Sequence, residues 1–170
     1  MENTEAVENA PAPRAPNKIV DGINYGGVTT GINVKAVEER YNAKYIGDFC
    51  LMTKNGWSDY PASVFWQETP PKPEYSNYVA LFIKYGYEDE DAIYITSGAS
   101  AFEKPIEGFV ADNGEIIYSR FRHDFRSSSD GSVTVDGGRD YTRVLWESGN
   151  PPKRVYLVPE KDKLVVRQDV

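Results

Sequence analysis

Histidine and cysteine are almost missing from this chain. His123 and Cys50 are the sole examples in 170 residues. A lone cysteine excludes an internal disulfide framework and fits a reducing cytosol. One histidine and one distant cysteine cannot assemble a typical zinc site. No calcium ladder of alternating carboxylates occurs either, because Asp112-Asn-Gly114 and Asp136-Gly-Gly138 fit turns better. Neither a metal nor a cofactor is therefore expected. No apolar run approaches the roughly 18 residues of a membrane span. The start, Met1-Glu-Asn-Thr-Glu-Ala-Val-Glu8, is acidic and has no apolar segment, unlike a secretory signal. With a net charge of -7, the chain lacks the basic surface that general duplex binding requires. The glycine-rich stretch Gly22 to Gly31 lacks the Gly-Lys-Ser/Thr ending of a phosphate loop and reads as a connector.

Aromatic residues are plentiful: 12 Tyr, 7 Phe and 3 Trp. Tyrosine suits strands with one wet face, since the ring packs while the hydroxyl reaches water. Residues 1–20, rich in Glu, Ala, Asn and Pro, read as a disordered acidic tail. Residues 21–43 form a lead-in. Within it, Asn33 caps a short helix from Val34 to Tyr41, with Val34, Val37 and Tyr41 on one face.

From residue 44 to 170, short apolar stretches alternate with turn signals. They are Tyr45–Met52, Ser63–Gln67, Tyr78–Lys84, Ala92–Thr96, Gly108–Ala111, Glu115–Arg126, Ser132–Val135, Tyr141–Trp146, Arg154–Val158 and Lys163–Arg167. Asn55-Gly56, the acidic stretch Glu88–Asp91 and Asp112-Asn-Gly114 mark turns between them. Cys50 lies in one of these strands as a small hydrophobe. The pattern predicts a single antiparallel all-β domain: a sandwich, an open barrel or a curved meander.

Five of the nine arginines fall between Arg120 and Arg143, and no lysine occurs from Glu115 to Arg143. Arginine's planar fork makes fixed paired bonds to carboxylates or phosphates. A strand from Glu115 to Arg126 would place Ile117, Ser119, Phe121, His123 and Phe125 on the core face. Arg120, Arg122, Asp124 and Arg126 would then face outward. A five-residue loop, Ser127 to Gly131, would set Arg126 opposite Ser132 and Arg122 opposite Asp136. Gly137 and Gly138 would mark a bulge or a close approach to the backbone. Arg139, Asp140 and Arg143 complete the cluster. Its five acids, Glu115, Asp124, Asp130, Asp136 and Asp140, allow two readings. Either the arginines lock to these acids and stiffen a hairpin, or some forks stay available for an anionic ligand or a partner's acids.

If the chain is an enzyme, His123 would move protons while Arg120, Arg122 and Arg139 stabilise charge on a phosphodiester. Against this, His123 sits between Phe121 and Phe125 on the predicted inner face. Asp124, its neighbour, points the other way and cannot orient the ring.

Several segments carry a resemblance. They are Asp48-Phe-Cys-Leu51, Asn77-Tyr-Val-Ala-Leu-Phe82, Ile95-Thr-Ser-Gly-Ala-Ser-Ala-Phe102, Gly108 to Arg126, and Asp130 to Arg143. Together they resemble small accessory proteins of unknown function carried by tailed bacteriophages. The resemblance implies action in the bacterial host cytoplasm, by binding a host or anti-phage defence factor. It carries over no catalytic residue.

The expectation is thus a non-enzymatic binding protein. Arg120, Arg122, Arg126, Asp136, Arg139, Asp140 and Arg143 would meet a protein partner or its anionic nucleotide, with no membrane involved. A phosphodiesterase or nuclease and a virion or assembly component are the alternatives.

Overall fold

The computed structural model describes residues 18–53, 56–57, 61–82, 92–94, 105–138, 141–147 and 149–169, with backbone alone at 52–53, 56–57, 82 and 92–94. The expected tail up to residue 17, the acidic stretch Glu88–Asp91, Arg139 and Asp140 lie outside the described residues. The fold is all-β, with one short helix among the described residues.

Strands arise where the sequence sets apolar side chains on alternate positions. In β6 (Ala62–Trp66), Ala62, Val64 and Trp66 face one way and Phe65 the other. The same alternation runs through β7 (Tyr78–Phe82). These two strands lie between β3 (Lys44–Phe49) and β8 (Ala92–Tyr94), giving a four-stranded antiparallel sheet ordered β3-β6-β7-β8. A small ladder joins β4 (Met52–Thr53) to β5 (Gly56–Trp57).

The helix α1 (Val34–Tyr41) covers one face of that sheet. Its Asn33 cap accepts a bond from the Ala36 amide at 3.1 Å, and Asn42 ends it in the left-handed region. Val37 is fully buried against Phe65, Val79 and Leu81, with Val34 and Tyr41 packed beside it. The expected apolar face is the one observed.

The other face packs on a second sheet, a curled half-barrel. Its order is β1 (Lys18–Val20), β2 (Ile23–Gly26), β10 (Ile116–Tyr118), β9 (Ile106–Val110), β14 (Arg154–Glu160) and β15 (Lys163–Arg167). Ile23, Tyr25, Ile106, Ile116, Tyr118, Val155 and Leu157 meet Ile46, Phe49, Val64 and Ala80 there, forming the main core. Gly108 sits in this layer because an added Cβ would stand 2.9 Å from the Ile116 side chain. The curl brings β15 back toward β2, so that the Leu164 amide donates to the Tyr25 hydroxyl at 2.8 Å.

The lead-in thus contains more than a connector. β2 is buried throughout and pairs with both β1 and β10. The turn before it is Asp21-Gly22, with φ of 53° and 82°. That is the backbone of a two-residue hairpin turn, which Asp-Gly favours.

The third sheet orders β11 (Arg126–Ser127), β12 (Val133–Gly137) and β13 (Thr142–Trp146). Val133, Val135 and Val144 pack on Phe109, Ala111 and Ile117 from the outer side of the half-barrel. The layers therefore run helix, four-stranded sheet, half-barrel, three-stranded sheet.

Candidate functional site

The expected long strand from Glu115 to Arg126 does not form. Strand β10 ends at Tyr118, and Ser119–Phe125 turn. The cause is Asp124. Its carboxylate accepts the Arg120 backbone amide at 2.9 Å, the Arg120 Nε at 2.8 Å and Nη2 at 3.1 Å. The pair folds the chain around itself, and the Asp124 amide closes onto the Phe121 carbonyl at 3.0 Å.

The loop that closes the hairpin, residues 128–133, also changes its register. Arg126 lies opposite Val135 rather than Ser132, an odd shift of three positions. An odd shift exchanges the two faces of a strand. Arg126 consequently points inward and Phe125 is 64% exposed, while the turn on Asp124 buries Arg120.

Both buried guanidiniums are held by protein oxygens. Arg120 Nη1 donates to the Gly27 carbonyl at 2.8 Å. Arg126 Nη1 donates to the Asn24 carbonyl at 3.1 Å and to its Oδ1 at 3.2 Å, and Nη2 to the Tyr118 carbonyl at 2.5 Å. Arg126 also covers the Tyr118 ring, 4.9 Å from its centroid. Burial opposes the charge on Arg120, but its bonds to Asp124 win and raise its pKa. Burial, then repulsion from Arg120, lowers that of Arg126.

Two flanking carboxylates complete this buried network. Glu115 accepts from Asn24 Nδ2 at 2.7 Å, from the Ser129 amide at 3.0 Å, and from the Ser129 hydroxyl. Burial would raise its pKa, yet the hydrogen bonds from Ser129 and Asn24 lower it. Asp48, which the sequence reading left without a role, accepts from the Thr29 amide at 2.5 Å. It also takes the hydroxyls of Thr29 at 2.6 Å, Tyr45 at 2.6 Å and Ser63 at 2.7 Å. These bonds fasten the 27–31 segment over the four-stranded sheet.

The remaining predicted site residues lie apart from that network. Asp136 pairs with Arg143 at 2.8 Å, its cross-strand partner, and not with Arg122 as expected. Arg122 is exposed. His123, expected on the inner face, is exposed at φ of 65°, and its amide donates to the Gly137 carbonyl at 2.5 Å. Gly138 is closely approached, since an added Cβ would stand 3.1 Å from the Arg122 Cα. The close approach expected at Gly137-Gly138 is therefore made by the chain's own 121–123 backbone.

His123, Phe121, Phe125, Thr29, Arg120 and Arg126 line a cleft of about 540 Å³. The terminal nitrogens of Arg120 and Arg126 already donate to protein oxygens, so these two arginines do not offer a phosphate the fork that the hydrolytic reading asks for. Among the described residues, no group of three or more His, Cys, Asp or Glu side chains is placed to hold a metal ion. Among the same residues, no helix is long and apolar enough to cross a membrane.

The outer face of the three-stranded sheet is the feature that the sequence reading missed. Residues directly opposed across β12 and β13 share a face. Val133, Val135, Val144 and Trp146 therefore share the inner face, and Thr134, Asp136, Arg143 and Leu145 the outer one. Tyr141 and Phe125 continue the outer set by alternation. Tyr141 is 69% exposed and Leu145 49%. The signal was present in Tyr141-Thr-Arg-Val-Leu-Trp146, where large apolar residues occupy both parities of one strand.

A family described as a domain of unknown function, DUF7695, matches residues 114–146. This span runs from β10 through β13 and holds the Arg120–Asp124–Arg126 cluster. No curated protein and no solved structure matches the chain.

Proposed function

We propose that this is a non-enzymatic binding protein whose partner docks on the outer face of the three-stranded sheet. The observation that carries the reading is the exposure of Phe125, Tyr141 and Leu145 beside the Arg143–Asp136 pair. Aromatic and arginine side chains dominate binding energy at protein interfaces, and clustered exposed apolar groups mark such surfaces. Arg122, also exposed, supplies charge near the same end of the sheet. The resemblance to phage accessory proteins supports a host or defence protein in the bacterial cytoplasm as the partner. Arg120 and Arg126 leave the proposed contact set, since their side chains serve the fold.

The test compares the tagged full chain with its Phe125→Ser/Leu145→Ser variant in capture from infected bacterial lysate. The expected result is a captured protein whose affinity for the variant falls roughly 10-fold or more. The melting temperature should stay nearly constant, because both side chains face solvent. Equal capture by both chains would overturn the reading. Phosphodiester hydrolysis by the wild type that His123→Ala abolishes would replace it with the enzymatic one.

A further inference from the structure

We infer that β13 pairs with β13 of a second copy of the chain about a two-fold axis through Val144. This concerns the edge of the three-stranded sheet rather than its outer face; Leu145 belongs to both, so the test below reads self-association of the chain alone.

The first argument is the direction of the backbone groups. The Glu147 amide donates to the Ser132 carbonyl, and the Gly138 amide to the Tyr141 carbonyl. Antiparallel pairing alternates, so Tyr141, Arg143, Leu145 and Glu147 direct their backbone groups at β12. Thr142, Val144 and Trp146 direct theirs outward. Among the described residues no strand other than β12 pairs with β13. Three amides and three carbonyls therefore form an open template along five residues.

The second argument is the contrast with the other edges. Sheets protect edges by shortness, bulges, lysine or proline. Strand β1 has three residues and a register shift after Lys18. Strand β3 opens on Lys44 and shifts between Tyr45 and Gly47. Strand β15 begins at Lys163 and ends at Arg167, and β11 has two residues. Strand β13 has no lysine, no proline and no register shift, and Asp136 offsets its one charge.

The third argument selects a second copy as occupant. Reflection through Val144 sets Thr142 against Trp146 and Val144 against itself. On the outer face, Arg143 then meets Leu145, and Tyr141 meets Glu147. No like charges oppose one another, and the half-exposed Trp146 gains cover. The pattern is self-complementary, as an isologous contact requires. Pairing would join two three-stranded sheets into one of six.

Sedimentation of the full chain across a concentration series tests this. The wild type should reach twice the monomer mass, with the Val144 amide slow to exchange with deuterium only at high concentration. Leu145→Lys places a cation opposite the second copy's Arg143 and should weaken dimerisation roughly 10-fold or more per dimer. Leu145→Glu places an anion there and should leave the dimer intact or tighten it. Leu145 is solvent-facing, so both variants should fold. A wild type that stays monomeric at all concentrations overturns the inference, and so do Lys and Glu variants with equal dimer affinity. A monomer whose β13 amides become protected only on adding a captured partner assigns the edge to a foreign strand and likewise overturns it.

Discussion

Asp124 shows how one carboxylate can decide a local fold. It bonds Arg120 through two oxygens and lies 3.3 Å from Arg126 Nε. Removing one partner of a buried ion pair leaves charge without compensation. Asp124→Asn should therefore lower the unfolding free energy by about 3–5 kcal/mol in urea titration. Arg143→Ala, which breaks an exposed pair, should cost ~1 kcal/mol or less. Comparable losses for the two would mean that the buried cluster does not hold the turn. The Arg120–Asp124 spacing of four was visible in the sequence. Its consequence was not, because strand alternation and a closed turn compete for the same residues, and local pattern does not rank them.

At the level of elements, α1 could be read directly. Its cap, its apolar face and its terminator all lie within ten consecutive residues, Asn33 to Asn42. The arginine hairpin could not, because its register depends on where the turn consumes residues. Three extra positions between Arg126 and its partner exchange the faces of Phe125 and Arg126, and the residues before them follow a turn rather than strand alternation. β2 went unread although Asp21-Gly22 announces a hairpin, since the core residues that bury it and its second strand partner, β10, lie far along the chain.

The serine loop from Ser127 to Ser132 illustrates a further elementary effect. Asp130 accepts from the Ser128 hydroxyl and the Ser132 amide, which lower its pKa from 3.8 to about 2. Glu115 is likewise held below its ordinary 4.5. A depressed carboxylate contributes stability that is complete above its unfolded pKa and lost as pH falls through the folded value. Stability should thus decline as the pH drops from about 4.5 toward about 2. Glu115→Gln should flatten that decline in urea unfolding across the same window, and an unchanged slope would remove Glu115 as a cause.

Across the whole molecule, the Tyr25 hydroxyl joins two half-barrel strands that are not neighbours, β2 and β15. Tyr25→Phe leaves the buried Leu164 amide without its acceptor. The expected cost is about 1–3 kcal/mol, with faster hydrogen exchange at Leu164 than at residues of α1. An unchanged Leu164 rate would show that packing alone holds β15 in place.

The grip of Arg120 on Gly27 spans 93 positions of sequence. On a ribosome adding ~5–20 residues per second, that span takes roughly 5–20 s to appear. Throughout the wait, β2 can pack on β3, β6 and β7, but in its own sheet it has only the three-residue β1 beside it, because β10 has yet to emerge. The nascent chain therefore carries one unpaired side of β2 during most of its own synthesis, and that interval is when ribosome-associated chaperones would matter most to its yield.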